Sequence, residues 1–202
     1  MNMNLVTFLH GLIETSFALF CLLATLSMRM YDTDERKATK VLIASLLMNT
    51  LLNVADAAAY VYRGDTSDLG YSMVRISNFT VFVGMFVLLA IGNKLLDTLL
   101  EERGAGEDKR PRNAVYGICG AGVALIVLNI FFRFLYSFDE QNYYHREALS
   151  PVISVVGAAA IVILLVRTFN EREKLPEKEY RALMYIWVLP VLGMAAQTLY
   201  YG

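Results

Sequence analysis

The sequence predicts an all-α membrane protein, a bundle of six transmembrane helices with its N-terminus outside and its odd loops cytoplasmic. Three observations predict it. Of the 202 residues, 56% are hydrophobic and only 18% are charged, whereas charged residues make up about a quarter of an ordinary soluble domain. The hydrophobic residues come in six blocks with few or no ionisable side chains, each long enough for a hydrocarbon core that takes about 20 helical residues to cross. The basic residues crowd into alternate connections between those blocks. No internal repeat or low-complexity tract divides the chain, so residues 1–202 read as a single multi-pass transmembrane domain.

The first span, near 4–28, is interrupted by Glu14 but keeps apolar flanks on both sides. No Lys or Arg precedes Arg29, so the block lacks the basic leader of a signal peptide and is expected to be retained. The second span, near 41–62, is interrupted by Asp56 in the same way. A third follows near 73–95, free of charge from Ile76 to Asn93, and a fourth near 114–136, free of charge from Asn113 to Phe132. Soluble amphipathic helices carry charge at every turn of their outer face, which these blocks do not. The fifth span, near 150–168, is opened by Ser150 as N-cap and Pro151 in the first turn. The sixth, near 182–201, contains Pro190 with Gly193 one turn later, a hinge pair expected to kink it. Gly117, Gly120, Gly122 and the run Gly157 to Ala160 offer small surfaces for close helix packing, without a strict GxxxG.

Orientation follows from the basic residues. Arg29, Arg36, Lys37 and Lys40 lie in the first connection, Lys94, Arg103, Lys109, Arg110 and Arg112 in the third, and Arg167, Arg172, Lys174, Lys178 and Arg181 in the fifth. Fourteen of the 18 basic residues therefore share one side. The opposite connections hold Arg63 and Arg146, while Arg75 and Arg133 lie inside predicted spans.

Ionisable groups within a span cost about 2.5–3.5 kcal/mol at the helix centre and require a partner or a wet cavity. His10 and Glu14 stand four apart on one helical face, and Asn49, Asn53, Asp56 and Tyr60 form a 4-3-4 stripe on the second span. Arg75 and Asn78 open the third span from outside, Asn129 and Arg133 close the fourth, and Gln197 closes the sixth. With the predicted orientation all of these converge on one outer layer holding two acids, two arginines and a histidine. The candidate ligand-binding set is therefore His10, Glu14, Asn53, Asp56, Tyr60, Arg75, Asn78, Asn129, Arg133 and Gln197, around a pocket for a small polar ligand. The competing reading makes the same balanced charges internal ties of the bundle. The inner halves are expected to be nearly bare of polar groups apart from Thr25, Ser45 and the cysteines, which argues against a continuous transport route.

Several classes are excluded. A formal net charge of −1 gives no bulk attraction for nucleic acid. Cys21 and Cys119 sit in apolar stretches and make neither a disulfide framework nor a metal-ligand spacing. There is no GxSxG, HExxH or GxxxxGK[ST], and neither His10 nor His145 is set up with a nucleophile, so no catalytic, metal or cofactor site is expected.

The second span, with Arg36-Lys37, then Leu46-Leu47-Met48-Asn49 and Asn53-Val54-Ala55-Asp56-Ala57-Ala58-Ala59-Tyr60, resembles the multi-pass sensor modules found at the N-terminus of bacterial signalling proteins. The sixth span, Leu189-Pro190-Val191-Leu192-Gly193 with Gln197, is similar to the penultimate helix of the same modules. The resemblance implies the bacterial inner membrane, a following GGDEF diguanylate cyclase or histidine kinase domain, and a homodimer through the parent protein. It covers Asn49, Asp56, Pro190, Gly193 and Gln197. Such modules have one further helix that returns to the cytoplasm, and the expectation here is that this helix and the output domain are missing.

The expected function is thus a sensory, receptor-like module whose partners are the lipid bilayer and a small extracytoplasmic ligand. A small-molecule transporter or its substrate-binding membrane subunit is the alternative from another class, and a structural or assembly bundle is the third.

Overall fold

A computed structural model describes residues 5–31, 36–105 and 109–201, with side chains described for residues 9, 11–29, 36–105 and 109–189. His10, Pro190, Gly193 and Gln197 thus lie outside the described side chains, and the hinge and those two ligand positions with them. Among the described residues the fold is 82% helical, with six α-helices. They are α1 (Leu5–Tyr31), α2 (Lys37–Val61), α3 (Asp68–Glu101), α4 (Lys109–Phe132), α5 (Ser150–Asn170) and α6 (Glu177–Tyr201). The first five are long and apolar enough to cross a membrane. The chain is therefore an all-α membrane bundle, with one short antiparallel hairpin, β1 (Tyr136–Phe138) and β2 (Tyr144–Arg146), between α4 and α5.

Each helix packs on its successor, and α3 also reaches α5. The core contains Phe86, Leu96 and Leu100 of α3, Val115, Cys119 and Ile126 of α4, Ala160, Ile161 and Leu164 of α5, and Leu183 and Trp187 of α6. Large apolar side chains also cover the outside, among them Leu12, Phe17 and Phe20 of α1, Ile130 and Phe131 of α4, and Val155 and Val162 of α5. Such a surface suits acyl chains, because lipid has no preference for polar side chains.

Helix contacts in lipid depend on close packing, and glycine notches provide it here. Phe86 of α3 fills the space where a Cβ on Gly122 of α4 would stand, Trp187 of α6 fills that of Gly92, and Leu52 and Met48 of α2 fill that of Gly84. Gly117, Gly120 and Gly157, in contrast, have open space at the Cβ position.

Several boundaries differ from the expected ones, α4 and α6 beginning at 109 and 177 rather than near 114 and 182. The fourth helix ends at Phe132 rather than near 136, because Arg133 turns into the left-handed region (φ 52°) and the chain enters β1. The third extends from 68 to 101, started by Ser67, whose hydroxyl accepts from the Gly70 N–H at 3.1 Å. Ser150 is the first helical residue of α5 and not its N-cap. Leu149 caps without a side-chain bond, because a tight turn in which the Ser150 N–H donates to the Glu147 carbonyl feeds the helix directly.

Candidate functional site

Polar side chains gather in two layers, one at each end of α3, and both use the same face of it. Tyr71, Arg75, Phe82, Phe86, Asn93 and Asp97 follow each other at helical spacings of four, seven, four, seven and four.

At the end where α3 begins, the hairpin folds across the helix. Asn129 of α4 is buried and organises its base: its Oδ1 accepts from the Leu135 and Tyr136 N–H groups at 2.7 and 3.3 Å, and its Nδ2 donates to the Tyr136 carbonyl at 3.0 Å. Phe82 stacks on Tyr136 with centroids 4.9 Å apart, and Tyr136 stacks on Tyr144 at 5.7 Å. Burial pushes both phenols above their ordinary pKa. The hairpin turn is held by Asn142, fully buried at φ 62°, whose Nδ2 donates to the Asp65 carbonyl at 2.8 Å. Its Oδ1 accepts from Arg75 Nη1 at 3.0 Å, and the same Nη1 donates to the Tyr71 carbonyl at 3.0 Å. The Arg75 guanidinium lies over the Tyr71 and Phe138 rings at 4.8 and 5.0 Å, while the Tyr71 hydroxyl donates to the Glu140 carbonyl. Asp139 pairs with His145 at 2.7 Å and accepts from the Tyr143 N–H at 2.7 Å, bonds that hold its carboxyl below the usual range. The Asp65 carboxyl is lowered too, chiefly by the Ser67 N–H.

At the other end of α3 lies a closed network. Asn93, Asp97 and Arg167 are 0%, 1% and 4% exposed. Arg167 of α5 donates through Nη2 to Asp97 Oδ1 and through Nη1 to Asn93 Oδ1 at 2.6 Å. Asn93 Nδ2 continues to the Arg112 carbonyl of α4 at 3.1 Å. Beside it Thr168 Oγ1 accepts from Trp187 Nε1 of α6 at 3.0 Å, and Trp187 is the only tryptophan of the chain. Four helices thus meet at one fully partnered cluster. Around it, Glu102 accepts from the Ala38 N–H at the start of α2, and Arg103 pairs with Glu179 at 2.6 Å.

This network overturns two expectations. Arg167 is not a loop cation but a buried residue of α5, and the half of the bundle expected to be bare carries a cluster of deeply buried polar groups, Asn93, Asp97, Arg167 and Thr168. The sequence signal was present: Asn93 and Asp97 are four apart, and Arg167-Thr168 end an otherwise apolar block.

Of the candidate ligand residues, Arg75 and Asn129 are brought to the hairpin, one beside its tip and one beneath its base. Arg133 is exposed where the connection leaves α4. Asn53 and Asn78 donate to carbonyls of their own helices, Asn49 at 2.7 Å and Val74 at 2.8 Å. Glu14, Asp56 and Tyr60 are half-buried, and each is partnered. Asn142, Tyr71 and Phe138, which complete the surroundings of Arg75, were not among the candidates. The hairpin that supplies two of them has strands of only three residues. No cluster of three or more metal-ligating side chains occurs among the described residues. Compared with known proteins, the chain matches no family model, no curated protein and no solved structure.

Proposed function

We propose that the chain is a sensory module of the bacterial inner membrane. In this reading six helices cross the bilayer, the N-terminus and the hairpin are extracytoplasmic, and the basic connections face the cytoplasm. The observation that carries the reading is that α3 joins two built polar layers. Its outer end supports an extramembrane hairpin with an exposed arginine, and its inner end is locked to α5 and α6 through Asp97, Arg167 and Trp187. A ligand or a bilayer stress acting on the hairpin therefore loads the helix that holds the cytoplasmic ends of α5 and α6 together. The output is a cytoplasmic domain of the diguanylate cyclase or histidine kinase type, as the resemblance of α2 and α6 suggests. Homodimerisation through such a domain fits the same scheme.

The test is the effect of Asn142→Ala and Asp97→Asn on cyclic di-GMP level or kinase phosphorylation, with the gene in its native genomic setting. Altered output at normal membrane levels is expected, and unchanged output in both variants would falsify the reading. A transporter is the second reading. It gains from the inner cluster, because polar groups now stand in both halves of the bundle. Solute uptake by proteoliposomes of the purified chain, abolished by Asp97→Asn, would establish it instead.

A further inference from the structure

Arg75 is held in an unusual way for an exposed arginine. Its two hydrogen bonds among the described residues both leave from Nη1, to the Tyr71 carbonyl and to Asn142 Oδ1. Two aromatic rings lie within 5.0 Å of the guanidinium carbon, and Asn142, which fixes Nη1, is itself fully buried and tied to Asp65. The guanidinium is therefore positioned by its surroundings rather than by solvent. What remains is the edge formed by Nε and Nη2, two parallel N–H donors in the geometry that a carboxylate or phosphate meets with two oxygens.

We infer that the Nε–Nη2 edge of Arg75 is an anion receptor, taking a pair of oxygens from a carboxylate or phosphate group on the extracytoplasmic side. The inference deepens the sensory reading, and rests on it for the side of the membrane and for the consequence of binding. The nearby acids keep their charge, but each is held by donors of its own. The Asp65 carboxylate is turned to the Ser67 N–H at 2.9 Å, and that of Asp139 is engaged by His145 and the Tyr143 N–H. Arg63, over the Tyr143 ring at 5.3 Å, adds positive charge beside the hairpin turn. Fixing the donor in advance matters because an arginine that need not be ordered on binding loses less side-chain entropy. An anion bridging onto this edge also strengthens the hold of Arg75 on the hairpin, because the guanidinium then links ligand, Asn142 and α3 in one array.

The anionic group can belong to a soluble molecule or to a lipid headgroup, and the experiment separates the two. The full chain is placed in nanodiscs of phosphatidylcholine and titrated with succinate or inorganic phosphate at constant ionic strength, chloride serving as the control salt. A second set of discs carries phosphatidylglycerol in part of the lipid and no added anion. Thermal unfolding is the readout. A saturable rise in Tm is expected, in the first arm for a soluble ligand or in the second for a lipid. Arg75→Lys, which keeps the charge and loses the fork, should weaken the apparent affinity by about tenfold or more. Arg146→Gln, an exposed change elsewhere on the hairpin, should leave it unaltered. Unchanged Trp187 emission in Arg75→Lys shows that the inner cluster is intact and the variant folded. No saturable rise in either arm, or the same rise in Arg75→Lys, overturns the receptor. If the receptor fails while Asn142→Ala and Asp97→Asn still change the output, sensing stands with a different stimulus. If anions bind and output never changes, the receptor stands and the sensory reading falls.

Discussion

Arg167 donates to two side chains of one neighbouring helix, and this makes the cluster at the C-terminal end of α3 sensitive to which partner is removed. Arg167→Ala leaves the Asp97 carboxylate buried without its cation, and Asp97→Ala strands the guanidinium. Losing one partner of a buried pair costs about 3–5 kcal/mol, whereas replacing both by apolar groups of similar volume is often neutral. Interhelical hydrogen bonds in membranes are weaker, averaging about 0.6 kcal/mol, so the uncompensated charge and not the lost bond decides the outcome. Each single alanine variant should therefore lower the unfolding midpoint in detergent sharply, and Asp97→Leu with Arg167→Met should restore most of it. A double variant no more stable than the singles would show that the cluster acts through shape alone. The spacing of Asn93 and Asp97 marks a polar face, but the pairing itself was not legible, because a lone Arg next to a hydrophilic stretch looks like a loop residue. Only the length of α3, which carries Asp97 inside the helix, brings the acid level with it.

The hairpin is the element that composition could not announce. Its strands pair Tyr136 with Arg146 and Phe138 with Tyr144, too short for an alternating pattern to stand out between two spans. Its signals were the aromatic residues on either side of Asp139-Glu140-Gln141-Asn142, Tyr136 and Phe138 before it and Tyr143 and Tyr144 after it, and Asn is among the residues that tolerate a positive φ. Asn129, expected to line a pocket, instead satisfies backbone groups at the hairpin base. Removing it leaves buried N–H and carbonyl groups unpaired at about 1–3 kcal/mol. Asn129→Ala should thus expose the 133–149 connection to protease in intact nanodiscs while the helices stay protected, and equal protection in both proteins would count against that role. The tip has its own pH dependence. The Asp139 carboxyl is held below its unfolded value, so its contribution is present above the ordinary carboxylate range and is lost as the pH falls through the lowered value. Amide exchange at Tyr143 and Tyr144 should accelerate in that acidic window in the wild type, and show no such step in Asp139→Asn.

For the molecule as a whole, hydrophobicity alone was sufficient to read a helical membrane bundle. The interior of α3, free of charge from Ile76 to Asn93, fell out of the same pattern. Helix ends were less legible, because polar side chains at 93–101 are carried in a helix by their partners and not by their own propensity. The proposed orientation is open to direct test: alkaline phosphatase fused at Ser67 should be active and at Gly106 inactive, and the reverse result would invert the topology. The 34 residues of α3 have one more implication. At about 1.5 Å per residue it extends roughly 51 Å, well beyond a hydrocarbon core of about 30 Å. Arg75 and Asp97, its two polar anchors, are separated by roughly 33 Å on the same scale, close to that thickness. The helix therefore works as a ruler whose end marks are chemical. On the sensory reading proposed above, a bilayer thinner or thicker than the interval between them moves one anchor or tilts the helix, which makes membrane thickness a candidate stimulus.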